Sequence, residues 1–260
     1  MSDMTIHGWK TQFKAIRKEF GYSEKEDLRS AKRLDSLLKK RFSKKKLQKI
    51  IENKTVFIIG AGPSLSKSLK YIKKCNNVTK IVADGAVRGL LEKDIKPDIL
   101  ITDLDGDINS IMKVGRTKIP IIVHAHGDNY DRLDIVRKFS NVVGTTQTET
   151  FGRMENFGGF TDGDRCVFLA EYFKARKIVL IGMDFGHEIG KYSKYKIINP
   201  KIKLKKLKFG KKIVEWIGSK SKAELYSTQK IKGFKMIRLI DLECIAVSYT
   251  HLTLPTICSV

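Results

Sequence analysis

This chain is organised around one acidic stretch, PDILITDLDGD at residues 97–107. It begins as a short apolar run and ends in three carboxylates at alternate positions, Asp103, Asp105 and Asp107. An apolar run bounded by turn residues predicts a buried strand, and ligands of open α/β sheets bind just beyond the strands' carboxyl ends. Oxygen-only ligands favour Mg²⁺ over zinc. The stretch therefore predicts a magnesium site, or alternatively an acidic surface turn built on Asp105-Gly106.

Strand and helix patterns alternate on both sides of this stretch. The apolar runs predict strands at 55–59, 79–83, 98–102, 119–123, 142–144 and 177–181, with short late strands at 223–226 and 236–239. Alternation of this kind indicates right-handed βαβ units. We therefore expect an α/β fold with a mainly parallel, doubly wound sheet of about six strands, an N-terminal helical segment and a small C-terminal β-rich extension.

The sequence divides into four predicted regions. They are an N-terminal helical segment at 1–52, an α/β catalytic core at 53–190, a basic lid or edge extension at 191–240, and a tail at 241–260. No Lys or Arg occurs after Arg238 in a chain otherwise rich in both. We therefore expect the tail to be non-native or disordered, and it is left out of the fold prediction.

Polar clusters follow almost every predicted strand. They are Gly60–Ser64, Asp84, Asp103–Asp107, His124–Asn129, Thr145–Gln147 and Asp184. Parallel strands bring their carboxyl ends to one edge of the sheet, whereas unrelated turns would be distributed over both edges. The coincidence favours a binding site, and with it the metal interpretation of the acidic stretch, over a surface turn.

The turn after the first strand, GAGPS at 60–64, has two interpretations. A glycine-rich turn between a strand and a helix can hold phosphate on backbone N–H groups at the helix N-terminus. Tight turns also need glycine without any ligand. The turn lacks the GK[ST] of a Walker P-loop and the third glycine of a dinucleotide fingerprint.

Composition limits the classes of function. The formal net charge is +23, which attracts polyanions, but lysine dominates over arginine and a general lysine excess is the simpler interpretation. Nucleic acid is therefore not an expected partner. We find no bilayer-spanning apolar run, no signal-peptide pattern and no CxxC among the four cysteines. These features predict a reduced, cytoplasmic protein without a membrane association.

Six motifs together resemble the archaeal 6-hydroxymethyl-7,8-dihydropterin pyrophosphokinases of the MptE-like family. They are GAGPSL at 60–65, ADGA at 83–86, the stretch at 97–107, HAHGDN at 124–129, GGFTDGDR at 158–165 and GMDF at 182–185. The resemblance covers about residues 9–239. Thiamine pyrophosphokinase is more distantly similar.

The resemblance implies a Mg²⁺-dependent transfer of diphosphate from ATP to the hydroxymethyl group of a reduced pterin, leaving AMP. The pathway would lead to tetrahydromethanopterin or a folate-like carrier. The expected partners are these two small molecules, and a homo-oligomer is left open.

The resemblance also implies roles for particular residues. Expected metal ligands are Asp84, Asp103, Asp105 and Asp107, and the first three are also expected to be catalytic. Asp162 and Asp164 would orient the pterin hydroxyl or hold a second Mg²⁺, and Arg165 would neutralise the leaving group. Asp128 or Asp184 would accept the N–H donors of the pterin. The expected ATP- and substrate-binding residues are Gly60, Gly62, Ser64, His124, His126, Asp128, Asn129 and Asp184.

Two other functions fit parts of the pattern. The core also resembles part of the flagellin-modifying glycosyltransferase-like proteins, which implies chemistry on a nucleotide sugar. A basic nucleic-acid-binding protein is the non-enzymatic alternative.

Overall fold

Eight parallel strands form one sheet in the order β5-β4-β3-β2-β1-β6-β7-β8. A computed structural model describes residues 6–39, 42–186, 188–193 and 200–247. The strands are β1 (Thr55–Ile59), β2 (Thr79–Ala83), β3 (Ile99–Thr102), β4 (Ile121–Ala125), β5 (Val142–Thr146), β6 (Lys177–Ile181), β7 (Glu224–Ser227) and β8 (Lys235–Met236). The predicted α/β class and parallel sheet are confirmed. The sheet is larger than expected because β7 pairs in parallel with β6 and β8 pairs in parallel with β7, so the C-terminal strands extend the main sheet.

The strand order reverses once. From β1 the chain builds outward through β2, β3, β4 and β5, and β6 then returns to the other side of β1. Such a reversal opens a crevice at the carboxyl ends of the two strands that flank it. In this sheet the crevice lies between β1 and β6.

The helices cover both faces of the sheet. They are α1 (Trp9–Phe20), α2 (Glu24–Leu37), α3 (Lys44–Ile51), α4 (Leu65–Ile72), α5 (Asp84–Leu91), α6 (Ile108–Gly115), α7 (Asp162–Tyr172), α8 (Pro200–Gly218) and α9 (Leu242–Ala246), with 3₁₀ helices at Gly127–Lys138 and Leu239–Asp241. One face carries a core in which Trp9 of α1 packs on Phe168 of α7, with ring centroids 4.5 Å apart. The other face buries Leu34 of α2 and Leu90 of α5 completely. The two N-terminal helices therefore belong to opposite faces.

Local sequence signals set the ends of the first two helices. Gly21 ends α1 in the left-handed conformation at φ 67°, where glycine has no Cβ to clash. The Ser23 hydroxyl accepts a hydrogen bond from the backbone N–H of Glu26 at the start of α2. This short connection places the first turn of α2 beside the carboxyl edge of the sheet, where Asp27 accepts a hydrogen bond from Gly127.

The basic segment and the tail are only partly described. Residues 200–218, within the predicted basic lid or edge extension, form α8, in which Val214 and Ile217 are fully buried. Residues 194–199 lie outside the described part of the chain. In the predicted tail, α9 buries Leu242, and residues 248–260 lie outside the described range. In the described ranges, every helix is too short or too polar to cross a membrane.

Candidate active site

Four carboxylates converge at the carboxyl edge of the sheet. Asp84 follows β2, Asp103 and Asp105 follow β3, and Asp162 opens α7. One oxygen from each of them lies within 4.8 Å of the others. The strand order explains the convergence, because β2 and β3 are neighbours and their carboxyl ends meet. The sequence predicted the first three members of this group as metal ligands. Asp162, which was expected to orient the pterin hydroxyl or to hold a second Mg²⁺, lies in the same group.

The loop after β3 is folded tightly around Asp84. Leu104 is buried in the left-handed conformation at φ 67°, which is costly for a residue with a Cβ. Its N–H donates to the Thr102 hydroxyl at 2.8 Å, and that hydroxyl donates to Oδ2 of Asp84 at 3.1 Å. The N–H of Gly106 donates to the same oxygen at 3.1 Å. These bonds fix the loop so that its carboxylates face Asp84.

The group fits a hard divalent cation. Burial and the negative charges of Asp103 and Asp84 raise the pKa of Asp162 well above its ordinary value. Negative charges packed this closely oppose one another's ionisation, and a cation relieves that repulsion. All four ligands offer oxygen, which suits Mg²⁺. The chemistry of the donor set therefore fits the expected metal.

Two aspartates predicted for the site cap helices instead. Asp107 is the N-cap of α6, and its carboxylate accepts the N–H of Ser110 at 2.9 Å. Asp164 is completely buried in α7, where it accepts the N–H groups of Phe160 at 2.5 Å and of Thr161 at 3.0 Å. Both lie outside the four-carboxylate group. Sequence spacing alone could not separate a capping carboxylate from a ligand, because both follow a strand or open a helix.

The turn at residues 60–64 was predicted as a phosphate cradle, and the hydrogen bonds of its backbone N–H groups contradict this. The N–H groups of Gly60 and Gly62 donate to the carbonyls of Ile181 and Gly182, at 2.9 and 2.8 Å. The glycines are needed for this close approach, since a Cβ at Gly62 would lie 2.0 Å from Oδ2 of Asp184. The turn therefore joins β1 to β6, and these N–H groups are not available to phosphate.

Asp184 and Ser64 hold each other across the same crevice. Oδ2 of Asp184 accepts the Ser64 N–H at 3.1 Å and the Ser64 hydroxyl at 2.9 Å. Ser64 is the N-cap residue of α4, but its side chain makes no capping hydrogen bond. Both were predicted to bind substrate. In the structure the two residues bind each other, and this contact stabilises the crevice between β1 and β6.

His124 lies inside the protein. β4 extends to Ala125, so His124 is a strand residue paired with Thr145, and its Nδ1 lies 3.0 Å from the Thr145 hydroxyl. Burial and the nearby charge of Arg165 lower the pKa of His124 well below its ordinary value. The ring is therefore neutral, and its partner within the sheet is the Thr145 hydroxyl. The sequence placed the end of β4 at residue 123, which made His124 look like a loop residue.

His126 and Asn129 position the loop that carries Asp103. Nδ1 of His126 accepts the N–H of Asp128 at 3.3 Å, so the ring proton belongs on Nε2, which lies 3.4 Å from Oδ2 of Asp103. Asn129 is fully buried and donates to the carbonyls of Asp103 and His124, at 2.9 and 2.7 Å. Asn129 thus holds the ends of β3 and β4 together and is not placed to bind a ligand.

Two chambers open beside the carboxylates. The first encloses about 1040 Å³, counting its mouth, over the crevice between β1 and β6, and its lining includes Gly60, Asp84, Asp162, Asp184 and Lys203. The second encloses about 840 Å³ between the ends of β3 and β4 and the helices α1 and α2, and its lining includes Phe13, Tyr22, Asp27, His126, Asp128 and Arg165. Asp103, Phe160 and Lys206 line both. The carboxylate group therefore lies where the chambers meet.

Several lining residues were missed from the sequence. Lys203 and Lys206 fall in the predicted basic lid or edge extension, and Tyr22 and Asp27 fall in the predicted N-terminal helical segment, but none of the four was predicted as a site residue. The helical periodicity of α8 places both lysines near one face, which was the available signal for that pair. Nothing in the sequence alone could have shown that α1 and α2 reach the carboxyl edge of the sheet.

Fold and site define a doubly wound α/β protein with an acidic candidate metal centre at the carboxyl edge of its sheet. A model of the family described as 6-hydroxymethylpterin diphosphokinase MptE-like matches residues 29–190. The chain belongs to this family. The resemblance seen in the six motifs is thereby confirmed.

Curated relatives and one solved structure extend this result. The chain is 44% identical over 224 residues to the 6-hydroxymethyl-7,8-dihydropterin pyrophosphokinase of Pyrococcus furiosus, covering 84% of this chain and 96% of that protein. It is 40% identical over 238 residues to the enzyme of the same name from Methanocaldococcus jannaschii, covering 85% and 99%. The MAf glycosyltransferase from Magnetospirillum magneticum AMB-1 superposes with a TM-score of 0.54 at 15% identity, covering 85% of this chain and 40% of that one. That likeness shows a shared fold alone.

Proposed function

We propose that this protein transfers diphosphate from ATP to 6-hydroxymethyl-7,8-dihydropterin, giving AMP and the pterin diphosphate. The observation that carries the proposal is the carboxylate group at the junction of two chambers. A reaction between two substrates at a metal needs this arrangement, because each substrate must reach the same point from its own side. The names of the relatives from two archaea support the choice of substrates.

The first chamber suits ATP. It lies at the reversal of strand order, where nucleotides bind in doubly wound sheets. The N-terminus of α7 opens into it at Asp162 and Gly163, and helix N-termini favour anions. Lys203 and Lys206 add positive charge from α8. These groups would hold the polyphosphate with its β-phosphate towards Asp103.

The proposed ligands of Mg²⁺ are Asp84, Asp103, Asp105 and Asp162. Mg²⁺ supplies positive charge that offsets the negative charge on the phosphate oxygens. The protein contributes position, because Thr102 and Gly106 hold Asp84 in place while His126 and Asn129 hold the Asp103 loop. Positioning of this kind supplies much of the rate enhancement in phosphate-transfer enzymes.

The chemical step is one displacement. The hydroxymethyl oxygen of the pterin forms a bond to the β-phosphorus, and the bond from that phosphorus to the oxygen bridging the α- and β-phosphates breaks. AMP leaves with the bridging oxygen, and the hydroxyl proton is released. Nothing is oxidised or reduced, so ATP and the pterin are the only reactants.

The role proposed for Arg165 differs from the one expected from the sequence. Its Nη1 lies 3.4 Å from Oδ1 of Asp162, and its side chain lines the second chamber. The sequence-based expectation was that Arg165 neutralises the leaving group, but AMP would remain in the first chamber. We therefore assign Arg165 to the diphosphate that is being transferred into the second chamber.

The wider context is part of the proposal. The product would serve the biosynthesis of tetrahydromethanopterin or a folate-like carrier, and the reaction would take place in the cytoplasm. The expected partners remain small molecules.

The proposal is tested by incubating the purified protein with ATP, Mg²⁺ and 6-hydroxymethyl-7,8-dihydropterin, with chromatography of nucleotides and pterins. We expect AMP and a pterin diphosphate in equal amounts, and neither when Mg²⁺ is removed with a chelator. AMP formed equally well with thiamine in place of the pterin would show that the substrate is wrong. Formation of ADP in place of AMP would show that the reaction type is wrong.

A further inference from the structure

We propose that the second chamber binds the ring system of the reduced pterin and that Asp27 of α2 accepts the N–H donors of its aminopyrimidinone edge. This inference deepens the proposed function and rests on it. Asp27 was not among the site residues predicted from the sequence. The N-terminal helices would then be part of the substrate site as well as of the packing around the sheet.

Asp27 is a buried carboxylate with one oxygen already engaged. Its exposed fraction is 6%, and it lines the second chamber. Oδ1 accepts the N–H of Gly127 at 2.9 Å, which fixes the side chain between α2 and the segment after β4. Within the described ranges Oδ2 makes no hydrogen bond. Oδ2 is not one of the enclosed polar atoms that lack a partner, so it is open to the chamber, where a ligand with two adjacent N–H donors can bind the carboxylate.

The walls of the chamber suit a flat ring. Phe13, Tyr22 and Phe160 line it. The Tyr22 ring stacks on Phe20 at 5.6 Å and lies 6.3 Å from the Phe160 ring. Stacked support holds Tyr22 in one orientation. Aromatic side chains of this kind bind planar heterocycles through offset stacking and edge contacts.

The lining of the chamber carries charges of both signs. Glu26, Asp27 and Asp128 make one part acidic, whereas Arg165 and Lys206 lie among its basic lining residues. The acidic part repels a polyphosphate and suits a neutral ring that is rich in donors. The shared residue Asp103 belongs to the metal group, so a ring bound at Asp27 would direct its hydroxymethyl group towards that residue.

Asp27 replaces the two residues first expected to accept the pterin's donors. Asp184 lines the first chamber and its Oδ2 is held by Ser64. The Asp128 side chain is 64% exposed, so water competes for its hydrogen bonds. Burial raises the pKa of Asp27 and also shields its carboxylate from water that would compete for its hydrogen bonds. Geometry and burial thus favour Asp27 over both.

The test is the variant Asp27→Asn with two substrates. Asparagine keeps an oxygen for the Gly127 N–H but offers a donor where the second carboxylate oxygen was. We expect the KM for the pterin to rise about 10- to 100-fold, as for a lost hydrogen bond to a charged group, while the KM for ATP is unchanged. In 6-hydroxymethyl-7,8-dihydrolumazine an oxygen replaces the 2-amino group. The wild type should discriminate against it, and Asp27→Asn should lose or reverse that preference.

Asp35→Asn is the matched control. Asp35 lies on the same helix, and its Oδ1 also accepts a backbone N–H, that of Arg153 at 2.6 Å, away from both chambers. Its KM for the pterin should equal that of the wild type. Thermal unfolding of both variants monitors the fold. If Asp27→Asn does not fold, Tyr22→Leu provides a second variant, for which a raised pterin KM with an unchanged ATP KM is expected.

Direct pterin binding, followed by the intrinsic fluorescence of the pterin, separates failure of this inference from failure of the proposed function. A wild type that binds the pterin in an Asp27-dependent way but forms no AMP would overturn the function and keep the site. A folded Asp27→Asn protein with wild-type pterin affinity and preference would overturn the site and keep the function. A wild type that binds no pterin would overturn both.

Discussion

The two chambers that meet at Asp103 differ in what builds them. The first is made by the turns after β1, β2 and β6 and is completed by α8, so most of its lining belongs to the sheet edge that all doubly wound folds possess. The second is closed by residues of the N-terminal helical segment. They are Phe13 on α1, Tyr22 in the connection between α1 and α2, and Asp27 on α2. The first chamber, proposed for ATP, is thus the general part of the fold, and the second chamber, proposed for the pterin, is an addition to it.

The two chambers also differ in the residues that line them. Lysines and the start of α7 make the first chamber attractive to polyphosphate. The second chamber is lined by aromatic rings and a buried carboxylate, which suit the flat, donor-rich ring proposed for it. Substitutions in the two chambers should therefore change the KM values of different substrates, and substitutions at their junction should change the rate itself.

The largest effect is expected at the junction. Asp103→Asn removes a charge from the metal group, and kcat should fall by about 1000-fold because the charge developing on phosphate is less well offset. Asp107→Asn is its control, since asparagine is an equally good N-cap for α6. Its kcat should stay within about twofold of the wild type. A steady-state assay of AMP formation measures both, and equal losses in the two variants would contradict the division between ligand and cap.

A smaller effect is expected from the lysines of α8. Lys203 lines only the first chamber, whereas Lys206 lines both and has its Nζ 5.5 Å from the centre of the Tyr22 ring. Lys203→Met should raise the KM for ATP by about tenfold and leave the KM for the pterin unchanged, as expected when one charged contact to phosphate is lost. Lys206→Met should raise both. Identical profiles for the two variants would show that the chambers are not separate sites.

The strands of the sheet could be predicted from the sequence because apolar runs and their alternation with helices are local signals. β1, β2 and β6 begin and end where the pattern predicted. β4 did not, because Ile119 and Pro120 continue the apolar run before the strand starts at Ile121. That shift of two residues moved His124 from a loop into the buried sheet.

The metal ligands were most readily predicted where they directly follow a strand, as Asp84 follows β2. Asp103 and Asp105 were found because they follow β3 directly. Asp162 joins them from a helix that begins about sixty residues later in the chain, and only the three-dimensional packing of α7 shows this. The glycine turn was misinterpreted because the same residues serve phosphate binding and close backbone packing, and the partner strand β6 decides between the two.

The most direct test of the central claim follows the β-phosphate of ATP. In the proposed reaction this phosphate and the γ-phosphate are transferred together from ATP to the pterin at the junction of the two chambers, where Asp103 lies. With ATP labelled by ³²P at the β-position, one turnover with Mg²⁺ and 6-hydroxymethyl-7,8-dihydropterin should place all transferred label in the pterin diphosphate and leave AMP unlabelled. Label recovered in ADP, or in free diphosphate without a pterin product, would contradict the account.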